Sequence, residues 1–160
     1  MIVYHGSYTI IEQPLVKCSK PKLDFGKGFY VTTVLSQAKR WAKRKAKLEN
    51  VSSGYVNVYD LADYSGYRVK EFGDNRSEWL NFVCDCRRGA NIYQDYDIIK
   101  GDVADDTVYN VVNMYKNGVW DEATALAELK VYKLYDQICI TSQSVADALL
   151  KFQAVIEVSL

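Results

Sequence analysis

The chain has 160 residues, 49% apolar and 25% charged, a balance that suits one soluble α/β-sized domain and excludes fibrous or disordered classes. Its 20 basic and 20 acidic side chains cancel, so bulk charge supplies no attraction to nucleic acid or to an anionic membrane. No basic-then-apolar leader opens the sequence and no apolar run nears membrane-spanning length, which points to the cytoplasm and away from membranes.

Apolar Met1 to Tyr4 leads into His5 and predicts a first strand. Thr9 to Leu23 holds both prolines, Pro14 and Pro21, and is expected to be irregular. Phe29 to Thr32 reads as a short strand. Thr33 or Ser36 then caps a helix to about Leu48, with Ala38, Trp41, Ala42 and Ala46 as a partial apolar stripe, and Gly54 breaks it. Tyr55 to Tyr59 alternates with period two, as a half-buried strand does. Ser77 caps a helix carrying Trp79, Leu80, Phe82 and Val83, which ends near Arg88-Gly89.

Tyr96 to Lys100 is the next expected strand. Asp106 or Thr107 opens a helix with Val108, Val111, Val112 and Tyr115 on one face, stopped by Gly118. Asp121 and Glu122 begin another, reaching about Lys133, with its first turn acidic as the dipole favours. Gln137 to Ile140 is a strand, Thr141 or Ser142 caps a helix to about Phe152, and Val155 to Val158 closes the chain as a strand. Residues 1–160 carry no linker or repeat and read as a single domain. Strands interleaved with helices can wind a parallel sheet, but no Gly-x-Gly-x-x-Gly follows a strand, so a Rossmann site is unsupported.

Several residues invite chemistry. His5 is the only histidine; beside Gly6 and Ser7 it reads either as a polar ring delivered to a cleft or as an ordinary buried histidine. Gly26-Lys27-Gly28 permits close backbone approach to a ligand, or simply a turn before Phe29. The 13 tyrosines suit clefts for planar ligands and also serve as core filler. Lys39, Arg40, Lys43, Arg44, Lys45 and Lys47 form a basic run that can hold a pyrophosphate or an RNA backbone, or be a solvated face. Arg87 and Arg88 end a helix, where cations also complement the dipole. Cys84 and Cys86 have the wrong spacing for a zinc knuckle, so no metal is expected, and four free thiols fit a reducing compartment.

His5-Gly6-Ser7 and Gly26-Lys27-Gly28-Phe29-Tyr30 resemble the first two signature segments of ADP-ribosyltransferase catalytic domains of the His–Tyr–Glu type, as in the poly-ADP-ribose polymerases. Trp41 falls where that family carries a second aromatic on the following helix, and Tyr135 to Ile140 resembles its third segment, with Gln137 standing where the family has Glu. Over most of its length the chain is most similar to a bacterial family of domains of unknown function with such signatures, through His5, Asp24 to Trp41, Glu78 to Phe82, Tyr96 to Ile99 and Asp136 to Phe152.

The resemblance implies an α+β fold of two small, mostly antiparallel sheets around an NAD cleft with helices outside. It also implies transfer of one ADP-ribose from NAD to a macromolecular acceptor, protein or nucleic acid, in a toxin or effector setting with a possible neutralising partner. His5, Tyr30 and Gln137 take the catalytic positions. His5, Gly6, Ser7, Tyr30, Trp41 and Lys27 take the NAD-binding ones, while Ala38 replaces a family serine that contacts the nicotinamide carboxamide. A glutamine amide accepts a hydrogen bond but carries no charge and cannot act as a base, so Gln137 predicts weak or absent chain elongation. Asp136 and Glu78 are the alternative sources of a carboxylate. A catalytically silent module that binds NAD, ADP-ribose or a protein is the alternative reading.

Overall fold

Ile2–Ser7 (β1) and Ser53–Leu61 (β3), the latter buried along most of its length, form an antiparallel pair, and Leu150–Ser159 (β7) adds to the far side of β3, giving the order β1-β3-β7. A second sheet orders Phe29–Val31 (β2), Asp136–Ile140 (β6), Ile98–Asp102 (β5) and Val69–Glu71 (β4), antiparallel except for the β4–β5 pair. This computed structural model describes residues 1–104, 106–130 and 135–160. Within them lie five α-helices: α1 (Leu35–Leu48), α2 (Arg76–Arg88), α3 (Asp106–Lys116), α4 (Glu122–Leu129) and α5 (Gln143–Leu149). The architecture is α+β. Among the described residues no helix is long and apolar enough to cross a membrane.

Three apolar clusters hold these layers. Val3, Tyr59 and Leu61 of the first sheet meet Phe29, Val31, Ile98, Ile138 and Ile140 of the second, with α5 closing the side. The opposite face of the second sheet packs Phe25, Ile99 and Cys139 against α2, α3 and α4. The helix α1 sits on the first sheet through Ala38, Ala42 and Val56. Besides this packing, an antiparallel bridge joins the sheets, where Tyr4 and Thr32 exchange backbone hydrogen bonds of 2.8 and 2.9 Å.

Several boundaries differ from the sequence expectation. The helix α1 starts from Val34 with no side-chain cap, because Thr33 spends both its N–H and its hydroxyl on the Asp136 carboxylate. Gly54 lies inside β3 rather than breaking α1; Asn50, at φ 54°, makes the turn. Gly54 is needed because a Cβ there would stand 2.4 Å from the Ala42 carbonyl oxygen. Asn75, not Ser77, caps α2, accepting from the Glu78 amide at 3.1 Å, while Ser77 bonds Glu122. The strand expected at Tyr96 begins at Ile98, since Tyr96 and Asp97 carbonyls are taken by the Thr141 hydroxyl.

The last helix ends at Leu149, not Phe152, because β3 offers a nine-residue edge that recruits Leu150 onward into β7. Phe152 then packs edge-on against Tyr59, ring centroids 5.9 Å apart. The three-residue β4 has no sequence signal strong enough to predict it. The helix α4 ends at Leu129; residues 131–133, into which the sequence expectation extends it, and the side chains of residues 106 and 107, expected to open α3, lie outside the described residues.

Candidate functional site

The three segments that carry the resemblance converge. Tyr30 pairs with Cys139 across β2–β6, and the His5 Nδ1 lies 2.6 Å from the Tyr30 carbonyl oxygen. A carbonyl only accepts, so Nδ1 carries the proton and Nε2 is left as an acceptor, 3.4 Å from the Lys45 Nζ. The imidazole stacks on Phe29 with centroids 4.5 Å apart. Burial, with the Lys45 charge beside it, lowers the His5 pKa to about 3, so the ring is neutral at physiological pH. Burial likewise lowers Lys45 to about 8.

Gly6 follows in β1 under the helix. A Cβ there would come within 2.2 Å of the Ala38 carbonyl oxygen and 3.0 Å of the Trp41 Cβ. Trp41 is half-buried with the Arg44 guanidinium 5.4 Å from its ring centroid. Lys45 is one helical turn beyond Trp41, so His5, Gly6, Trp41 and Lys45 form one group where α1 crosses β1. Ser7 is buried and its hydroxyl accepts from the Thr9 amide at 3.3 Å, which holds the loop after β1.

Tyr30 and Gln137 belong to the other side of β2. Pairing puts Phe29, Val31, Ile138 and Ile140 on one face and Tyr30, Cys139 and Gln137 on the other. The Tyr30 hydroxyl donates to the Gly26 carbonyl at 2.5 Å and accepts from the Phe25 amide at 3.0 Å; burial pushes its pKa well up. His5 therefore meets Tyr30 through the backbone, and their rings occupy opposite faces. Lys27, half-buried, sits in a turn shaped by packing, with the Tyr93 ring against Gly26 and the Cys139 sulfur against Gly28.

Gln137 is buried and its Nε2 donates to Asp24 Oδ2 at 2.9 Å and to the Asp102 carbonyl at 3.1 Å. Both amide hydrogens are thus committed, and Oε1 is what the group can offer as an acceptor. Asp24 also takes the Ala104 amide at 3.0 Å and, on Oδ1, the Arg87 Nε and Nη2 at 3.0 and 2.5 Å. Four donors thus converge on one buried carboxylate, and a second carboxylate at position 137 would face it directly. Of the alternatives, Asp136 is held by Thr32 and Thr33, and Glu78 pairs with Lys70.

The sequence reading names Lys45 only as one of the basic run and Asp24 only as the start of a resembling segment. Lys45 has a signal, its i+4 spacing from Trp41. Asp24 has none, since its partner Gln137 is 113 residues away. Lys39, Arg40, Lys43, Arg44 and Lys47 are exposed, the solvated-face outcome for the basic run apart from Lys45. Arg40 lies over the Tyr135 ring at 4.5 Å, beside a cleft of about 510 Å³ lined by Thr33, Glu71, Lys100, Tyr135 and Asp136. His5, Tyr30 and Trp41 do not line that cleft. Trp79 is a core residue whose indole donates to the Asp102 carbonyl at 2.8 Å, and Trp120 packs on the same cluster.

Residues 1–152 match the model of a family described as a protein of unknown function, DUF3990. The chain belongs to that family. No curated protein and no solved structure matches it.

Proposed function

We propose that the chain is an NAD-dependent mono-ADP-ribosyltransferase acting on a protein or nucleic-acid acceptor. The observation that carries this reading is the convergence of His5-Gly6-Ser7, Gly26 to Tyr30 and the Gln137 strand, segments far apart in sequence, on the two faces of one short strand. In this reading the neutral His5 ring accepts a hydroxyl of the adenosine-side ribose through Nε2, with Lys45 beside it. Trp41, on the His5 side, supplies a flat surface for the nicotinamide end, whereas the Tyr30 ring lies on the opposite face of β2 and acts through its backbone carbonyl on His5. Breaking the nicotinamide–ribose bond builds positive charge on the ribose. Gln137 Oε1 can orient a ribose hydroxyl but cannot neutralise that charge, so transfer is slow and requires a strong nucleophile.

The tie between Gln137 and Asp24 favours a second reading, a silent module that binds NAD, ADP-ribose or a protein partner. Incubation of the purified protein with NAD labelled in its adenylate phosphate, plus a cell lysate, separates the two. Label on macromolecules, lost in His5→Ala and Tyr30→Ala variants that keep their melting transitions, supports the enzyme. NAD binding with neither nicotinamide release nor transfer supports the silent module, and absence of NAD binding sinks both NAD readings.

A further inference from the structure

A second cleft, of about 210 Å³, lies on the helical side of the molecule and is lined by Lys22, Asp24, Arg87, Tyr109, Asn113 and Lys116. The Arg87 guanidinium is mostly buried, stacked 5.0 Å from the Tyr109 ring centroid and paired on one edge with Asp24 Oδ1. Among the described residues its buried Nη1 has no hydrogen-bond partner. A buried cationic donor without a partner is unfavourable unless water or a ligand completes it. The charge around it selects what that ligand can be. Arg87, Lys22 and Lys116 are cationic, Asn113 adds an amide, and Asp24, the single carboxylate lining the cleft among the described residues, already accepts four hydrogen bonds on its two oxygens. Asp24 therefore neutralises one charge without competing for the open Nη1.

We propose that this cleft is a binding site for a phosphoryl-sized oxyanion, held by Arg87 Nη1 with Lys22, Asn113 and Lys116 around it. Guanidinium N–H groups match the oxygen spacing of a phosphate, and two lysines supply the remaining charge without fixing direction. The cavity is large enough for one phosphoryl group and too small for a dinucleotide, so any nucleotide would enter by a terminal phosphate with the rest outside. The site shares no residue with the His5 group, since its residues come from the segment before β2 and from α2 and α3, and it touches the NAD reading only through the Asp24–Gln137 hydrogen bond.

The test is titration of the full chain with inorganic phosphate, following the Arg87 Nε–H resonance by NMR, with chloride at matched ionic strength as the control. The expected result is a saturable phosphate-specific shift at Arg87, weakened about tenfold in Lys116→Glu and in Asn113→Asp, two variants outside the Asp24 network. Titration with ADP and with a 5′-monophosphate in parallel tells free phosphate from a nucleotide phosphoryl group: tighter binding of either nucleotide assigns the latter, equal or weaker binding the former. No shift at Arg87 with phosphate or either nucleotide, or a shift that chloride reproduces, overturns the proposal. So does binding that neither variant weakens while both retain native spectra.

Discussion

The two polar centres of this molecule lie on opposite faces of β2 and are built to different specifications. Around Asp24 the acceptors are saturated: Arg87, Ala104 and Gln137 meet both carboxylate oxygens, and among the described residues the unpartnered donor of this group is Arg87 Nη1. At His5 one ring nitrogen is fixed by the Tyr30 carbonyl and the other, among the described residues, meets a lysine at 3.4 Å, beyond the usual length of a strong bond. A saturated network rigidifies and specifies packing, whereas the His5 ring has a fixed tautomer and one weakly engaged acceptor nitrogen. Gln137 belongs to the first kind, although its place in the sequence aligns it with the second.

The largest effect should come from Asp24→Ala, which strands a buried guanidinium and two further donors. We expect a loss of about 3–5 kcal/mol in urea unfolding. An effect under about 1 kcal/mol would mean that water replaces the carboxylate and that the network is not structural.

Gln137→Glu comes next. It removes two hydrogen bonds and places a carboxylate against Asp24 Oδ2, for a cost of about 2–3 kcal/mol at pH 7. The new carboxyl would have a folded pKa above its unfolded value, so its deficit should shrink as pH falls toward the unfolded carboxyl range. In the double variant Asp24→Asn, Gln137→Glu the like-charge clash is gone, and the two effects should add up to less than their sum. Strict additivity would show that the two side chains do not touch. Placing a carboxylate at 137 alone is consequently a poor test of NAD chemistry.

Gly6→Ala should cost about 1–3 kcal/mol by pushing α1 off β1, since the added methyl meets the Ala38 carbonyl oxygen at 2.2 Å. If NAD binds at this crossing, the variant should lose that affinity beyond what its stability loss explains.

The smallest effect is electrostatic. His5, with a pKa lowered to about 3, should show no imidazole titration by NMR between pH 5 and 8. Its folded pKa lies below the unfolded one, so its contribution is intact above about pH 6.5 and is lost progressively as pH falls toward 3. An imidazole that titrates near 6.5 would place the ring in solvent.

By itself the sequence determined the kinds and order of most elements. The 3.6-residue spacing of Ala38, Ala42 and Ala46 commits α1, the alternation of Tyr55 to Tyr59 commits β3, and Gly89 at φ 100° ends α2 where expected. These signals are local, and local sterics and periodicity suffice to read them. It also marked His5, Gly6, Tyr30 and Trp41 as a set.

Tertiary structure decided the rest, because the deciding partners are remote. Leu150 turns from helix to strand only because β3 has an edge to fill. Thr33 is diverted from capping by an aspartate 103 residues away. Gln137 has a meaning only beside Asp24, and the face on which each ring of the set emerges follows from pairing across β2, β6 and the Tyr4–Thr32 bridge. A hydrogen bond is specified by two groups at about 3 Å, and one-dimensional sequence records the groups without the distance.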